Sequence, residues 1–402
     1  MRQFTAILLL LCFARVSFPQ DIDKYDDYFK GIADIEYKDY NASAGYFTKA
    51  LETNKNNCHI LLMRGEAYYL LQNYQAAISD LIKAEETISG LASYRLATCY
   101  ARLNKPEEAV KWLEVFLKSE YKCPESKIKL DKTFSCIENT TEWKKLWSNE
   151  WYNKQEQTLA EAEYLMNSRK YTEAMDVLDN LLDQRKRFHQ GFYLRAKIFI
   201  LMNDDKNALE DLNEAIDIYK KNLLYYSERA DVNYRLGKFR QSLSDINSAL
   251  ELDPLNIKLY FEKSLTESKL KEYKKAVSGF ELYLRYFDKD HEALYQTGIC
   301  YFDMKNYDKA MEYFNTAIQY NRSIAKYYTG RAYTNAMKSE FINAEDDFSM
   351  ALDLTPKDAS IYYGRGMVRL YLNKNKDACR DFEKAANLGN NEAINQLEQN
   401  CK

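Results

Sequence analysis

An array of paired α-helices is the fold class this sequence predicts, an all-α solenoid of about ten helix-turn-helix units with one atypical Trp-rich helical insertion. Three observations predict it. Small and aromatic residues return every 34 residues: Gly298, Tyr307, Ala310, Phe314 and Ala317 in one register become Ala332, Phe341, Ala344, Phe348 and Ala351 in the next. Within each period, apolar residues fall three and four apart, the spacing of a helix with one buried face. Backbone breakers are scarce, with 12 Gly and 5 Pro in 402 residues, which suits helices joined by short connections and not a many-turned β protein.

The chain opens on a segment with the character of an export signal. Arg2 gives the positive start, Ala6 to Phe13 the apolar stretch, and small and polar residues follow before Asp21. The stretch is too short to span a bilayer. Residues 1–20 are expected to be cleaved off, although no Ala-x-Ala marks the cut, and Leu11 before Cys12 argues against a lipid anchor. Residues 21–122 hold three units: Gly31, Tyr40, Phe47 and Ala50; Gly65, Tyr74, Ala77 and Ala84; then Ala97, Tyr100, Ala109 and Leu113, arriving 32 residues later instead of 34. Residues 123–154 break the register. Phe134, Trp143, Trp147 and Trp151 still make them apolar enough to pack, as a docking knob or as an irregular eleventh unit. Units four to ten run in register over 155–389, from Ala162, Tyr171, Ala174 and Leu178 to Gly366, Ala378, Phe382 and Ala385. Residues 390–402 read as a capping helix, with Ala393, Ile394 and Leu397 on one side and polar residues on the other.

Each unit has a simple packing logic. Small residues at position 8 of the first helix and position 20 of the second let the two helices approach closely, and large residues at 11, 17 and 24 fill the space beside them. Ser43 and Ser242 stand in for the small Ala. Pro106 and Asp205 replace the aromatic at position 17, where looser joints are expected. One unit cannot bury its face alone, so neighbours stack.

This pattern resembles the tetratricopeptide repeat over about 350 residues, all but the export signal, the insertion and the cap. The resemblance implies a right-handed α-solenoid in which positions 2, 5, 9 and 12 of each first helix look into a concave groove. Tyr193, Tyr234, Phe261, Tyr295, Phe302, Tyr333, Tyr363 and Tyr371 then form a candidate aromatic ladder for an extended peptide or a helix, because rings give much contact area for little lost rotamer freedom. The competing reading is that some of these rings pack between helices. Family members that bind chaperone C-termini hold a carboxylate with several basic residues at set positions. Only Arg95 fits that pattern here, so an adaptor of that type is disfavoured. The ending from Ala378-Cys379-Arg380-Asp381 through Leu388-Gly389 to Cys401 is similar to the C-termini of exported repeat proteins of Bacteroidota-type bacteria.

No catalytic constellation is present. His59, His189 and His291 each lack a second ligand at metal spacing, the glycines are scattered singly, and no nucleophile elbow occurs. Asp80, Asp211, Asp245, Asp347 and Asp381 recur with the period, which marks them as scaffold. With 57 basic and 60 acidic residues, a net charge of −3 excludes a bulk basic surface for nucleic acid. An export signal implies an oxidising compartment, where Cys123 with Cys136 and Cys379 with Cys401 are candidate disulfides; buried free thiols are the alternative. The expectation is a periplasmic or extracellular protein with no enzyme activity, cofactor, metal or membrane span in its mature part. It would act as an interaction scaffold for a protein or peptide partner. Glycan or cell-wall-fragment binding through the aromatics, and a structural role in an envelope complex, are the alternatives.

Overall fold

The computed structural model describes residues 22–401, so the export-signal residues 1–20 lie outside the described residues. Among the described residues every regular element is a helix, and no helix is long and apolar enough to cross a membrane. Two compact units divide the chain, one through Asn256 and one from Ile257. In the first, consecutive helices pair as α1 (Asp26–Glu36) with α2 (Tyr40–Thr53), α3 (Cys58–Leu70) with α4 (Tyr74–Thr87), and α5 (Ser93–Arg102) with α6 (Pro106–Lys118). The insertion follows as α7 (Glu125–Lys129), a short 3-10 turn (Lys132–Phe134) and α8 (Thr141–Leu146). Regular pairs then resume: α9 (Lys154–Asn167) with α10 (Tyr171–Gln184), α11 (His189–Leu201) with α12 (Asp205–Ile218), and α13 (Leu223–Arg235) with α14 (Phe239–Leu252). The second unit pairs α15 (Ile257–Lys269) with α16 (Tyr273–Leu284), α17 (His291–Asp303) with α18 (Tyr307–Tyr320), α19 (Ala325–Met337) with α20 (Phe341–Leu354), and α21 (Ala359–Tyr371) with α22 (Asn375–Asn387). It closes on α23 (Asn391–Asn400).

The helices start and stop where local chemistry says they should. Asn57, Asn73, Asp204, Asn222, Asp290, Asn306 and Asp358 each cap a helix by accepting a hydrogen bond from a first-turn N–H. The turn inside each pair needs one left-handed residue. Lys38, Gln72, Asn104, Arg169, Asn203, Gly237, Lys271, Lys305, Ser339 and Asn373 supply it, with φ between 54° and 71°.

Close approach at position 8 is visible atom by atom. A Cβ on Gly298 would lie 2.7 Å from the Phe314 ring, and one on Gly366 would lie 2.7 Å from Phe382. Phe47, Phe280, Phe314, Phe348 and Phe382 fill position 24 and are fully buried, with Ala77, Ala109, Ala174, Ala208, Ala276, Ala310, Ala344 and Ala378 buried beside them. Ser43 keeps its small size, and its hydroxyl donates to Gly31 O at 2.8 Å, so the substitution leaves no orphan polar group.

The periodic aspartates acquire partners. Arg331 donates to both carboxylate oxygens of Asp347 (2.9 and 2.6 Å) in its own pair, and its third nitrogen donates to Asn315 (2.7 Å) in the preceding pair. Arg64, Arg195, Arg229 and Arg365 repeat the arrangement on Asp80, Asp211, Asp245 and Asp381. Each guanidinium therefore ties three helices. The α17–α18 pair has Thr297 and Tyr313 at these positions, and there Glu281 accepts from Tyr301 (2.7 Å) and Tyr313 (3.1 Å) instead.

Three departures from regularity have local causes. The third unit arrives early because Glu85, buried at the end of α4, accepts from Ala92 N (2.8 Å) and Ser93 Oγ (2.6 Å) and starts α5 after a tight turn at Gly90, φ +91°. The insertion is a packed element: Ile128, Phe134, Ile137, Trp143 and Leu146 form one core with Leu113 and Phe116 of α6. The joint at Asp205 is not loose as expected, because Arg235 reaches back from α13 and forks onto its carboxylate (Nε to Oδ2 3.0 Å).

The cysteines divide. Cys379 and Cys401 form a disulfide with Cα atoms 5.7 Å apart, joining α22 to the end of α23. Cys123 and Cys136 are not bonded to each other. The Cys136 thiol donates to Ala101 O at 3.1 Å, whereas the carbonyl of Cys123 accepts from the Tyr152 hydroxyl at 2.6 Å, so each is held against a different neighbour. Cys58, Cys99 and Cys300 are buried free thiols, and burial pushes the Cys99 thiol up to about 12.

Candidate functional site

The candidate ladder resolves into two kinds of ring. Tyr193, Phe261, Tyr295 and Tyr363, all at position 5, are half-buried against aromatic neighbours. Tyr193 lies 4.7 Å from Tyr225, Phe261 5.6 Å from Phe280, Tyr295 5.8 Å from Phe314 and 5.1 Å from Tyr327, and Tyr363 6.0 Å from Phe382. Burial pushes the Tyr295 hydroxyl up to about 12, with Glu292 adding to the rise. Tyr234 and Phe302 are half-buried against Phe239 and Tyr307, the first residues of the helices that follow them. Tyr333 and Tyr371 differ: they are 40% and 65% exposed. Tyr333 stands edge-on to Phe348, and Tyr371 lies flat on Phe341 at 4.8 Å, so both are held rigidly while open to solvent.

Around these two rings, the first-helix positions of the second unit are apolar. Met337 is 56% exposed, and Phe302, Met367 and Leu370 are half-buried. Gly364 keeps the face shallow, since a Cβ there would lie 2.8 Å from the Phe348 ring and 3.2 Å from the Tyr333 oxygen. Several nearby charges are neutralised in pairs, Lys338 with Asp308 (2.8 Å) and Arg369 and Lys374 with Glu345 (2.8 and 2.5 Å), while the carboxylates of Asp358 and Glu392 lie close enough to add to the rise that burial gives the Tyr333 hydroxyl. What remains is a surface of aromatic and thioether groups with two carboxylates at its edge. Sequence reading missed Met337, Met367 and Gly364; stepping positions 6, 9 and 13 by 34 residues would have found them.

Among the described residues no group of three His, Cys, Asp or Glu could hold a metal ion. His189 and His291 each bond a tyrosine hydroxyl at 2.7 Å, Tyr225 and Tyr327 respectively, and act as packing groups. His59 is buried, which pulls its imidazole down to about 4. Arg95 cannot receive a carboxylate, because Glu66 already occupies it at 2.6 Å and Tyr69 stacks on its guanidinium at 4.2 Å.

Models of the tetratricopeptide repeat match residues 35–91, 91–120, 189–222 and 291–323. The chain belongs to the tetratricopeptide repeat family. No curated protein matches it. Among solved structures it is similar to a tetratricopeptide repeat protein from Parabacteroides merdae, at 22% identity and a TM-score of 0.51, over 60% of this chain and 96% of that one. It is also similar to the C-terminal part of a tetratricopeptide repeat protein from Cytophaga hutchinsonii (18% identity, TM-score 0.48, 60% and 99% covered). A third likeness is to the Cut9-Hcn1 hetero-tetramer of the APC/C (14% identity, TM-score 0.48, 94% and 96% covered). Tetratricopeptide repeat proteins bind protein partners, and their fold is typically a non-catalytic interaction scaffold.

Proposed function

We propose that this chain is a non-catalytic scaffold that holds an apolar segment of a partner protein against α17, α19 and α21, and that it works in the periplasm or outside the cell. The observation that carries the reading is the exposed set of Tyr333, Met337 and Tyr371, two of whose rings are braced against Phe348 and Phe341. Pre-held aromatics lose little freedom on binding, and they give an apolar segment a large contact area. The location rests on the leader-like N-terminus and on the Cys379–Cys401 disulfide, which suits an oxidising compartment.

A crosslinked pull-down from the native cell envelope tests it, with wild type against a Tyr333→Ser, Tyr371→Ser double variant that keeps its helical circular dichroism. Capture by wild type and loss from the variant supports the reading. Equal capture by both moves the site elsewhere on the chain. A wild type that retains only glycan, and no protein, overturns the scaffold reading in favour of a carbohydrate ligand.

A further inference from the structure

Unit one carries a second feature, of opposite character to the apolar face of unit two. Between the starts of α9 and α11 lies a cleft of about 570 Å³, within the roughly 300–1,000 Å³ typical of ligand sites. Arg185, Lys186 and Arg187, the connection from α10 to α11, all line it and are all exposed. None of the three makes an ion pair or a side-chain hydrogen bond within the described residues. By contrast, Arg195, Arg229, Arg331, Arg365 and Arg369 each sit on an aspartate or glutamate. The one carboxylate in the lining, Glu156, is committed elsewhere: it pairs with Lys122 at 2.8 Å and accepts from Asn153 N at 2.9 Å. The cleft therefore presents three unneutralised cations.

The rest of the lining suits a polypeptide. Gln184 and Gln190 bring side-chain amides, each able to donate to and accept from a backbone. Leu159 and Phe188 give an apolar floor. Two guanidiniums offer planar forks that match carboxylates in a bidentate way. We propose that this cleft binds an acidic segment of a partner protein, with Arg185 and Arg187 holding its Asp or Glu carboxylates and Lys186 adding a point charge. The assignment rests on the reading of the chain as a protein-binding scaffold, and it places a charge-reading site in unit one apart from the apolar face of unit two.

Fluorescein-labelled hexaglutamate is the probe, read by anisotropy on the whole protein. Wild type should bind it, with affinity falling as salt rises, and should not bind labelled hexalysine. An Arg185→Ala, Lys186→Ala, Arg187→Ala variant should bind at least tenfold more weakly. A control with the same loss of charge, Lys132→Ala, Lys144→Ala, Lys145→Ala on the insertion, should stay within twofold of wild type. No binding by wild type, or equal weakening in both variants, overturns the proposal. Displacement of hexaglutamate by equimolar inorganic phosphate, or by a sulfated sugar, reassigns the cleft to a free anion and also overturns it. The two readings fail separately: partner capture that survives the cleft variant removes only this inference, whereas hexaglutamate binding that survives Tyr333→Ser, Tyr371→Ser keeps it independent of the apolar face.

Discussion

Arg331 holds three helices with one guanidinium, and Asp347 beneath it is buried with only Asn335 as a further partner, at 2.9 Å. Arg331→Ala should leave that carboxylate desolvated and underpaired, at a cost of about 2–3 kcal/mol, read as a lower urea midpoint. Arg331→Lys should recover only part of the loss, because an ammonium cannot bond two carboxylate oxygens and Asn315 in a fixed fork. The aspartates were legible in the sequence as scaffold. Their arginine partners were not, since they lie 16 residues earlier on another helix and the pairing exists only once the two helices pack. Asp253 makes a different kind of statement. It is buried, with Leu255 N and Asn256 as polar neighbours and the Tyr28 hydroxyl close enough to feel its charge. Burial pushes its carboxyl from the ordinary 3.8 up to about 7. A raised carboxyl means the folded chain keeps a proton that the unfolded chain releases. The stabilising contribution is whole below about pH 4 and is lost as pH rises through about 7. Asp253→Asn should therefore raise the thermal midpoint at pH 8 relative to wild type and flatten its decline between pH 4 and 8. A variant whose midpoint runs parallel to wild type across that range would sink the assignment.

Among the elements, α23 depends most on a single covalent link. Ala393 is the one buried residue it contributes, while Ile394 is 45% exposed. The disulfide closes a loop with a sequence separation of 22, for which chain-entropy arguments give roughly 3 kcal/mol. Cys401→Ser should let α23 exchange its amide hydrogens at least tenfold faster while α21 and α22 stay protected; unchanged protection of α23 would show that packing alone holds it. The sequence indicated a cap here, from its apolar side, and a packed insertion earlier, from its Phe and Trp content. It did not show how the insertion folds. Phe134, Trp143 and Trp147 contact one another at 5.4 and 5.7 Å in an order set by α6, not by any repeat register. The expected looseness at Asp205 failed for a related reason. The ring is missing there, but the charge in its place finds Arg235, 30 residues on.

For the whole molecule, the architecture was readable because nearly every stabilising contact joins neighbours in sequence, so the period carries the fold. The binding surface was less readable. Tyr295, Tyr333 and Tyr363 look alike as letters, yet Tyr295 is covered by Tyr327 and Tyr333 stays open. Which ring is free depends on what the next unit places over it, and composition does not encode that. The arginine forks carry one more consequence, for how such a chain can change length. Arg365 reaches Ser349 in the pair before it, at 3.0 Å. Delete residues 324–357 and the position 16 places before Arg365 becomes Asn315, a group that already accepts from Arg331 at 2.7 Å. A whole repeat can be removed and the severed ends still find matching chemistry, whereas a cut there that is not a whole number of repeats shifts the guanidinium onto a different side chain. The excised chain should keep its helical circular dichroism per residue. Length can therefore change by 34 residues at this joint while every fork keeps an acceptor.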